Sequence, residues 1–100
     1  MDALIDALAV AGRARRSVQL VVRLPSSYRP SPYASAFMAS ARRSMTVVDL
    51  RERFDALPQP AQWALFFEGL TPGSHFNDAG HAWIARELQP AIAAALSRAP

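Results

Sequence analysis

Two short runs of β-branched and apolar residues place the strongest limit on the fold of this chain. The first covers residues 18–24 (VQLVVRL) and the second covers residues 45–50 (MTVVDL). Runs of this length and composition are typical of strands that are buried on both faces of a parallel sheet. Because about twenty residues separate them, they have room for a helical crossover. The sequence therefore predicts two adjacent parallel strands joined by a right-handed crossover.

Three other segments carry apolar residues at helical spacing. Residues 2–16 form the first predicted helix, with an apolar face made of Leu4, Ile5, Leu8 and Ala11 or Gly12. Residues 34–43 form a shorter one between the two strands. A last helix runs to about residue 97, and its predicted stripe is Trp83, Ile84, Leu88, Ile92 and Leu96. Pro90 lacks a backbone N–H, so it is expected to kink this helix or split it in two.

The remaining segments are predicted to be irregular. Residues 26–33 and 69–74 are expected to be loops, because proline, serine and glycine concentrate there. Residues 51–60 are expected to be irregular or one helical turn, ended by Pro58 and Pro60, while residues 62–67 receive no assignment. The sequence thus predicts an α/β fold in which a small parallel sheet is flanked by helices, within a single domain over residues 1–100.

Composition excludes several classes of protein. The chain has 100 residues, of which 51% are hydrophobic, so it is globular rather than disordered. It has no cysteine and only two histidines, so we expect no disulfide, no metal site and no cofactor. Eleven arginines give a net charge of +3 but are spread along the chain, which disfavours a nucleic-acid surface. We expect no membrane span, no signal peptide and, by default, a cytoplasmic location.

Both histidines lie where a loop runs into the last helix, in residues 73–85 (GSHFNDAGHAWIA). In parallel α/β sheets, functional groups gather beyond the carboxyl ends of the strands, and the loop that holds His75 can reach that edge. An imidazole there is suited to general-base catalysis, because histidine is the side chain that most often takes this role. A solvent-exposed loop histidine is the alternative interpretation of His75, and His81 falls within the first helical turn.

The wider pattern resembles the C-terminal part of the SGNH hydrolases, also called GDSL-type esterases and acyltransferases. In that family a strand reading roughly V-hydrophobic-D-L precedes a loop with Asp-x-x-His, x-Asn-x-x-Gly and a closing amphipathic helix. The resemblance covers about residues 15–98, and it rests on Val47, Val48, Asp49, Leu50, His75, Asn77, Gly80, His81, Ile84, Ala85 and Leu88. It implies a three-layer α/β/α sandwich and the activity of a serine ester hydrolase or acyltransferase.

By this resemblance, His75 is the base that activates a serine. The family's acid lies three residues earlier, where this sequence has Pro72; the acids nearby are Glu68, a weak substitute acid, and Asp78. No Gly-Asp-Ser nucleophile block occurs in the sequence. The chain is therefore expected to be a C-terminal fragment or degenerate member of the family, with little or no catalysis alone.

Other polar residues have structural interpretations that we favour. Asp49 is expected to cap the turn after its strand, Asn77 to cap the last helix, and Gly80 to allow close backbone packing. Ser26 and Ser27 follow a strand but lack a nucleophile elbow, and Ser74 is adjacent to His75 in sequence. The large aromatic residues are expected to be core rather than a stacking platform: Trp63, Phe66, Phe67 and Trp83.

A second function, from a different class, is a non-catalytic interaction or oligomerisation module. A small two-stranded sheet leaves an edge and parts of the apolar helix faces without cover. The expected partners are then the N-terminal half of an SGNH domain or a second copy of this chain.

Overall fold

The computed structural model describes residues 2–25, 32–70 and 74–98. The elements in chain order are α1 (Asp2–Ala14), β1 (Leu20–Arg23), α2 (Pro32–Arg42), β2 (Thr46–Asp49), α3 (Leu50–Asp55), α4 (Gln59–Trp63), β3 (Phe67–Leu70) and α5 (Asp78–Ser97). Strands β1 and β2 pair in parallel, with Val21 opposite Val47 and Val22 opposite Val48. The predicted parallel pair and mixed α/β class are confirmed, and helices flank the sheet.

The strands are shorter and less buried than the sequence predicted. All four residues of β1 are only half-buried, and only Val48 of β2 is fully buried. The reason is that the described sheet has two strands, so each strand keeps an open edge and incomplete cover. The expectation that β1 is buried on both faces was therefore wrong. Leu50, which was predicted to end the second strand, instead begins α3.

The segment between β2 and β3 is more helical than predicted. Residues 51–60 were expected to be irregular or one turn, but they contain α3 and the start of α4. Pro58 is the N-cap residue of α4 and Pro60 lies in its first turn, so these prolines begin a helix rather than end one. The unassigned residues 62–67 are the end of α4 and the start of β3.

The main core lies at the carboxyl end of β2 and beyond it. It consists of Val48, Leu50, Phe54, Leu65, Phe66 and Trp83. Aromatic rings meet edge to face there, because the Phe54 ring lies 5.9 Å from that of Phe66 and 6.3 Å from that of Trp83. Ile5 and Ala9 of α1 and Met38 and Ala41 of α2 are also buried, and α1 contacts α2.

Two of the predicted apolar helix faces lie only partly against the core. Leu4 and Leu8 of α1 are 61% and 46% exposed, because Ile5, Ala9 and Gly12 form its buried side. Ile92 and Leu96 of α5 are 44% and 64% exposed. The α5 helix continues through Pro90 as one element, so it is not split. Among the described helices, none combines the length and apolarity that a membrane crossing requires.

Candidate functional site

Asn77 connects the loop that carries His75 to α5, and both its side chain and its backbone form hydrogen bonds. Its side-chain Oδ1 accepts the Gly80 N–H at 2.9 Å, which is an N-cap. Its Nδ2 donates to the carbonyls of Ala64 at 2.9 Å and Phe66 at 3.1 Å, and its backbone N–H donates to that of Leu65 at 3.0 Å. The predicted cap is confirmed. The same side chain also ties the start of α5 to the end of α4.

Gly80 lies against the same segment at van der Waals distance. A Cβ built on Gly80 would collide with the Leu65 carbonyl oxygen and lie 2.8 Å from the ring of Phe76. The rings of Phe66 and Phe76 stack beside it, with centroids 4.6 Å apart. Close backbone packing at Gly80 is confirmed, and it fixes where α5 starts relative to β3.

His75 is exposed on an extended segment that pairs with the start of β3. Phe66 and Phe76 form an antiparallel bridge, and the Phe67 N–H donates to the His75 carbonyl at 3.0 Å. Since side chains alternate along extended chain, Phe66 and Phe76 point to the core while Phe67 and His75 point to solvent. The His75 imidazole therefore projects into solvent. The backbone at His75 and at Asn77 is hydrogen-bonded to Phe67 and Leu65.

The start of α5 lies at the carboxyl end of the β1–β2 sheet. The other end of α5, at Ala95 and Arg98, lines a cleft of about 280 Å³ together with residues that precede or begin the strands, including Val18 and Thr46. An α-helix of 20 residues is about 30 Å long. Its first turn is consequently at the opposite edge of the sheet, where Leu50 and Phe54 follow β2. His75 lies three residues before this turn in the chain, and its place at the sheet edge stays a prediction.

Of the candidate partners of His75, the structure describes Glu68 and Ser74, and neither is hydrogen-bonded to the imidazole. Glu68 is exposed one residue after Phe67, so strand alternation directs it to the other face of the ribbon from His75. The Ser74 Oγ is buried and has no hydrogen-bond partner among the described residues, so it is not bonded to the imidazole. Ser26, Ser27 and Pro72 lie outside the described residues. The catalytic roles of His75 and Glu68 stay predictions.

His81 occupies the first turn of α5 and is exposed. Its backbone N–H donates to the Asn77 carbonyl at 3.0 Å, and its ring lies 6.2 Å from that of Phe76 at a tilt of 59°. These contacts agree with its interpretation as a helix-start residue.

Asp49 is a polar residue at the carboxyl end of β2, and both of its carboxylate oxygens have partners. Its Oδ1 accepts the Glu52 N–H at 3.2 Å, which confirms the predicted cap. Its Oδ2 lies 3.4 Å from guanidinium nitrogens of both Arg23 and Arg42. Sequence reasoning missed these ion pairs; the signal was the β1–β2 register, which places Arg23 opposite Asp49.

The four large aromatic residues divide between core and surface. Phe66 and Trp83 are buried, as expected. Trp63 is 50% exposed and Phe67 is 73% exposed, so the expectation that they belong to the core was wrong. Trp63 ends the five-residue α4, which buries no residue, and Phe67 lies on the outward face of β3 beside His75.

No metal centre is visible in the part of the chain that the structure describes. Residues 2–25, 32–70 and 74–98 contain no group of three histidine, aspartate or glutamate side chains placed to hold an ion.

No protein-family model matches the chain, and neither the curated proteins nor the solved structures contain a match to it.

Proposed function

We propose that this chain is the histidine-bearing part of an SGNH-type ester hydrolase or acyltransferase domain. The observation that carries the proposal is that His75 is exposed two residues before the Asn77 cap of a helix that packs, through Trp83, at the carboxyl edge of the parallel sheet. That edge is where α/β proteins place their reacting groups. The three-layer sandwich of the family is part of the same proposal.

In this function the His75 imidazole is a general base. It takes the proton of a serine hydroxyl while the serine Oγ forms a bond to the acyl carbon of an ester. The resulting imidazolium returns that proton to the departing alkoxide as the ester C–O bond breaks. Water, or an acceptor alcohol in an acyltransferase, then attacks the acyl-serine with the same histidine as base.

The nucleophile of this reaction has to come from residues outside the present sequence, because the sequence contains no Gly-Asp-Ser block. The carboxylate that orients the histidine is also in question, since Pro72 stands at the family position and Glu68 projects from the other face of the ribbon. Losing that third group lowers kcat by about 10⁴ in serine hydrolases. The isolated chain is therefore expected to hydrolyse 4-nitrophenyl acetate no faster than free imidazole at matched concentration.

The decisive test starts from the DNA on the 5′ side of the coding region. We expect a Gly-Asp-Ser block in the same or the adjacent reading frame, and co-expression of that polypeptide with this chain should give a complex labelled at serine by a fluorophosphonate. His75→Ala should abolish esterase activity, while His81→Ala, a second exposed histidine six residues away, should leave it unchanged. Absence of a Gly-Asp-Ser block, or equal activity of the two variants, would overturn the proposal.

A second function, that of an interaction module, is favoured by the amount of exposed surface. The chain exposes 6717 Å², whereas a compact monomer of its 10.9 kDa mass exposes about 5,600 Å². The difference of about 1,100 Å² exceeds the ~800 Å² that each partner buries in a standard interface. Sedimentation that shows a compact monomer with a sharp, cooperative thermal transition would contradict this second function.

A further inference from the structure

The α5 helix has an apolar side that the core does not use. Its inner side meets the core through Trp83, Ile84, Leu88 and Ala91. Five exposed residues form the opposite side, spaced alternately three and four positions apart: Ala82, Ala85, Gln89, Ile92 and Leu96. We call this set the outer stripe. Alternate spacing of three and four is the pattern of the contact seam between two packed helices.

Four of the five outer-stripe residues, all except Ala82, line an open groove of about 530 Å³ whose lining residues all belong to α5. Because the groove has walls from only this helix, an occupant has to supply the opposing wall itself. The stripe spans fifteen residues, and its ends are about 21 Å apart along the helix. A groove of this length and form fits a second helix.

The sequence of the outer stripe is complementary to itself when read in reverse. Its amino-terminal half carries the small residues Ala82 and Ala85, and its carboxyl-terminal half carries the large residues Ile92 and Leu96. An antiparallel pair related by a twofold axis at Gln89 places each large residue of one copy against a small residue of the other. A parallel pair would instead place alanine against alanine and leave space between the helices.

Gln89 occupies the centre of this arrangement. Its amide has both donor and acceptor atoms, so two copies of Gln89 can bond to each other across the axis. A polar residue at one position of an otherwise apolar seam fixes the register of the pair. Arg86 flanks the stripe and is exposed, so it remains at the solvated rim.

We propose that α5 is a homodimer interface, in which the outer stripe packs antiparallel against the outer stripe of a second copy. The inference rests on the second of the two proposed functions and gives it a surface and a partner. The chain as a whole exposes about 1,100 Å² more than a compact monomer of its mass, which exceeds the ~800 Å² that each partner buries in an interface of standard size. The proposed homodimer interface does not depend on catalysis, because His75 lies before α5 and is not part of the outer stripe.

The first experiment measures the oligomeric state by sedimentation velocity over a range of protein concentrations. The wild-type chain should sediment at twice 10.9 kDa. Ile92→Glu should raise the dimer Kd at least about tenfold, since it buries a charge in the seam. Leu4→Glu is the control, because Leu4 is an exposed apolar residue on α1, 61% exposed against 44% for Ile92, and it should leave the dimer intact.

The second experiment tests orientation by disulfide cross-linking, which is simple because the chain has no cysteine of its own. In the antiparallel pair, Gln89→Cys should cross-link two copies under mild oxidation, whereas Ala82→Cys should not. Equal cross-linking of both variants would show a parallel pair and overturn the proposal. A dimer unaffected by Ile92→Glu would overturn the α5 interface but not the interaction function, and a monomer at about 100 μM would overturn both.

Discussion

Gly12 and Gly80 are both buried in helices, but different atoms surround them. At Gly80 an added Cβ meets the fixed carbonyl of Leu65 and the ring of Phe76. At Gly12 the three nearest atoms all belong to the end of the Gln19 side chain, which can rotate away. Glycine inside a helix costs about 1 kcal/mol relative to alanine, so its presence needs a packing reason. Such a reason exists at Gly80 and not at Gly12.

We predict opposite effects of alanine at these two positions. Gly80→Ala should lower the free energy of unfolding by about 1–3 kcal/mol, because α5 has to shift away from Leu65. Gly12→Ala should leave it unchanged or raise it by up to about 1 kcal/mol, because helix propensity improves. Urea denaturation followed by circular dichroism measures both. A stabilising Gly80→Ala would contradict the tight packing at the start of α5.

At the scale of elements, the joint between β2 and α3 depends on Asp49. One oxygen caps α3 and the other lies between Arg23 and Arg42, so a single carboxylate connects both strands, the end of α2 and the start of α3. The ion pairs are partly solvated, because the Arg42 side chain is 52% exposed. Exposed pairs of this kind contribute little individually, and the cap contributes more.

Two substitutions at Asp49 should separate the cap from the ion pairs. Asp49→Asn keeps an oxygen for the Glu52 N–H and should cost about 0.5–1 kcal/mol of stability, a cost that shrinks in 1 M NaCl as salt screens the arginines. Asp49→Ala also loses the cap and should cost about 1 kcal/mol more than Asp49→Asn, a difference that should persist in 1 M NaCl. Chemical denaturation at low and high salt provides the measurement. Equal costs for the two variants would mean that the cap stabilises nothing.

At the scale of the whole molecule, the chain is thinner and less compact than a typical domain of its length. Its radius of gyration is 15.2 Å, whereas a compact domain of 100 residues has about 13 Å. Its extents are 43 × 30 × 19 Å, and the main cluster lies under α3 and α5. Most of the burial that stabilises the fold therefore depends on a few large side chains, of which Trp83 is the largest.

Replacing each of the two tryptophans with alanine should show that the burial is concentrated at Trp83. Trp83→Ala should lower the free energy of unfolding by about 3–5 kcal/mol, a large share of the ~5–15 kcal/mol that a domain has. Trp63→Ala removes a half-exposed ring and should cost less than about 1 kcal/mol. Thermal unfolding of the two variants, compared at one protein concentration, tests the difference. Similar costs would place the core elsewhere.

Local chemistry in the sequence was sufficient to predict much of this protein. The β-branched runs gave two strands, their separation gave a parallel pair, and Asn77 and Asp49 were recognisable as caps because short polar side chains satisfy nearby backbone N–H groups. These features depend on residues close together in the chain. The exposed position of His75 before the last helix followed from the same local order.

Only the tertiary structure decided which apolar faces are covered. Helical spacing identifies a face but not its neighbour, so Leu8, Ile92 and Leu96 fitted predicted stripes and yet remain exposed. The tie from Asn77 to Ala64 and Phe66, and the bond of Asp49 to Arg23, join residues distant in sequence. Such contacts depend on how the elements pack, because a residue's environment is set by what lies across the core and not by its neighbours in the chain.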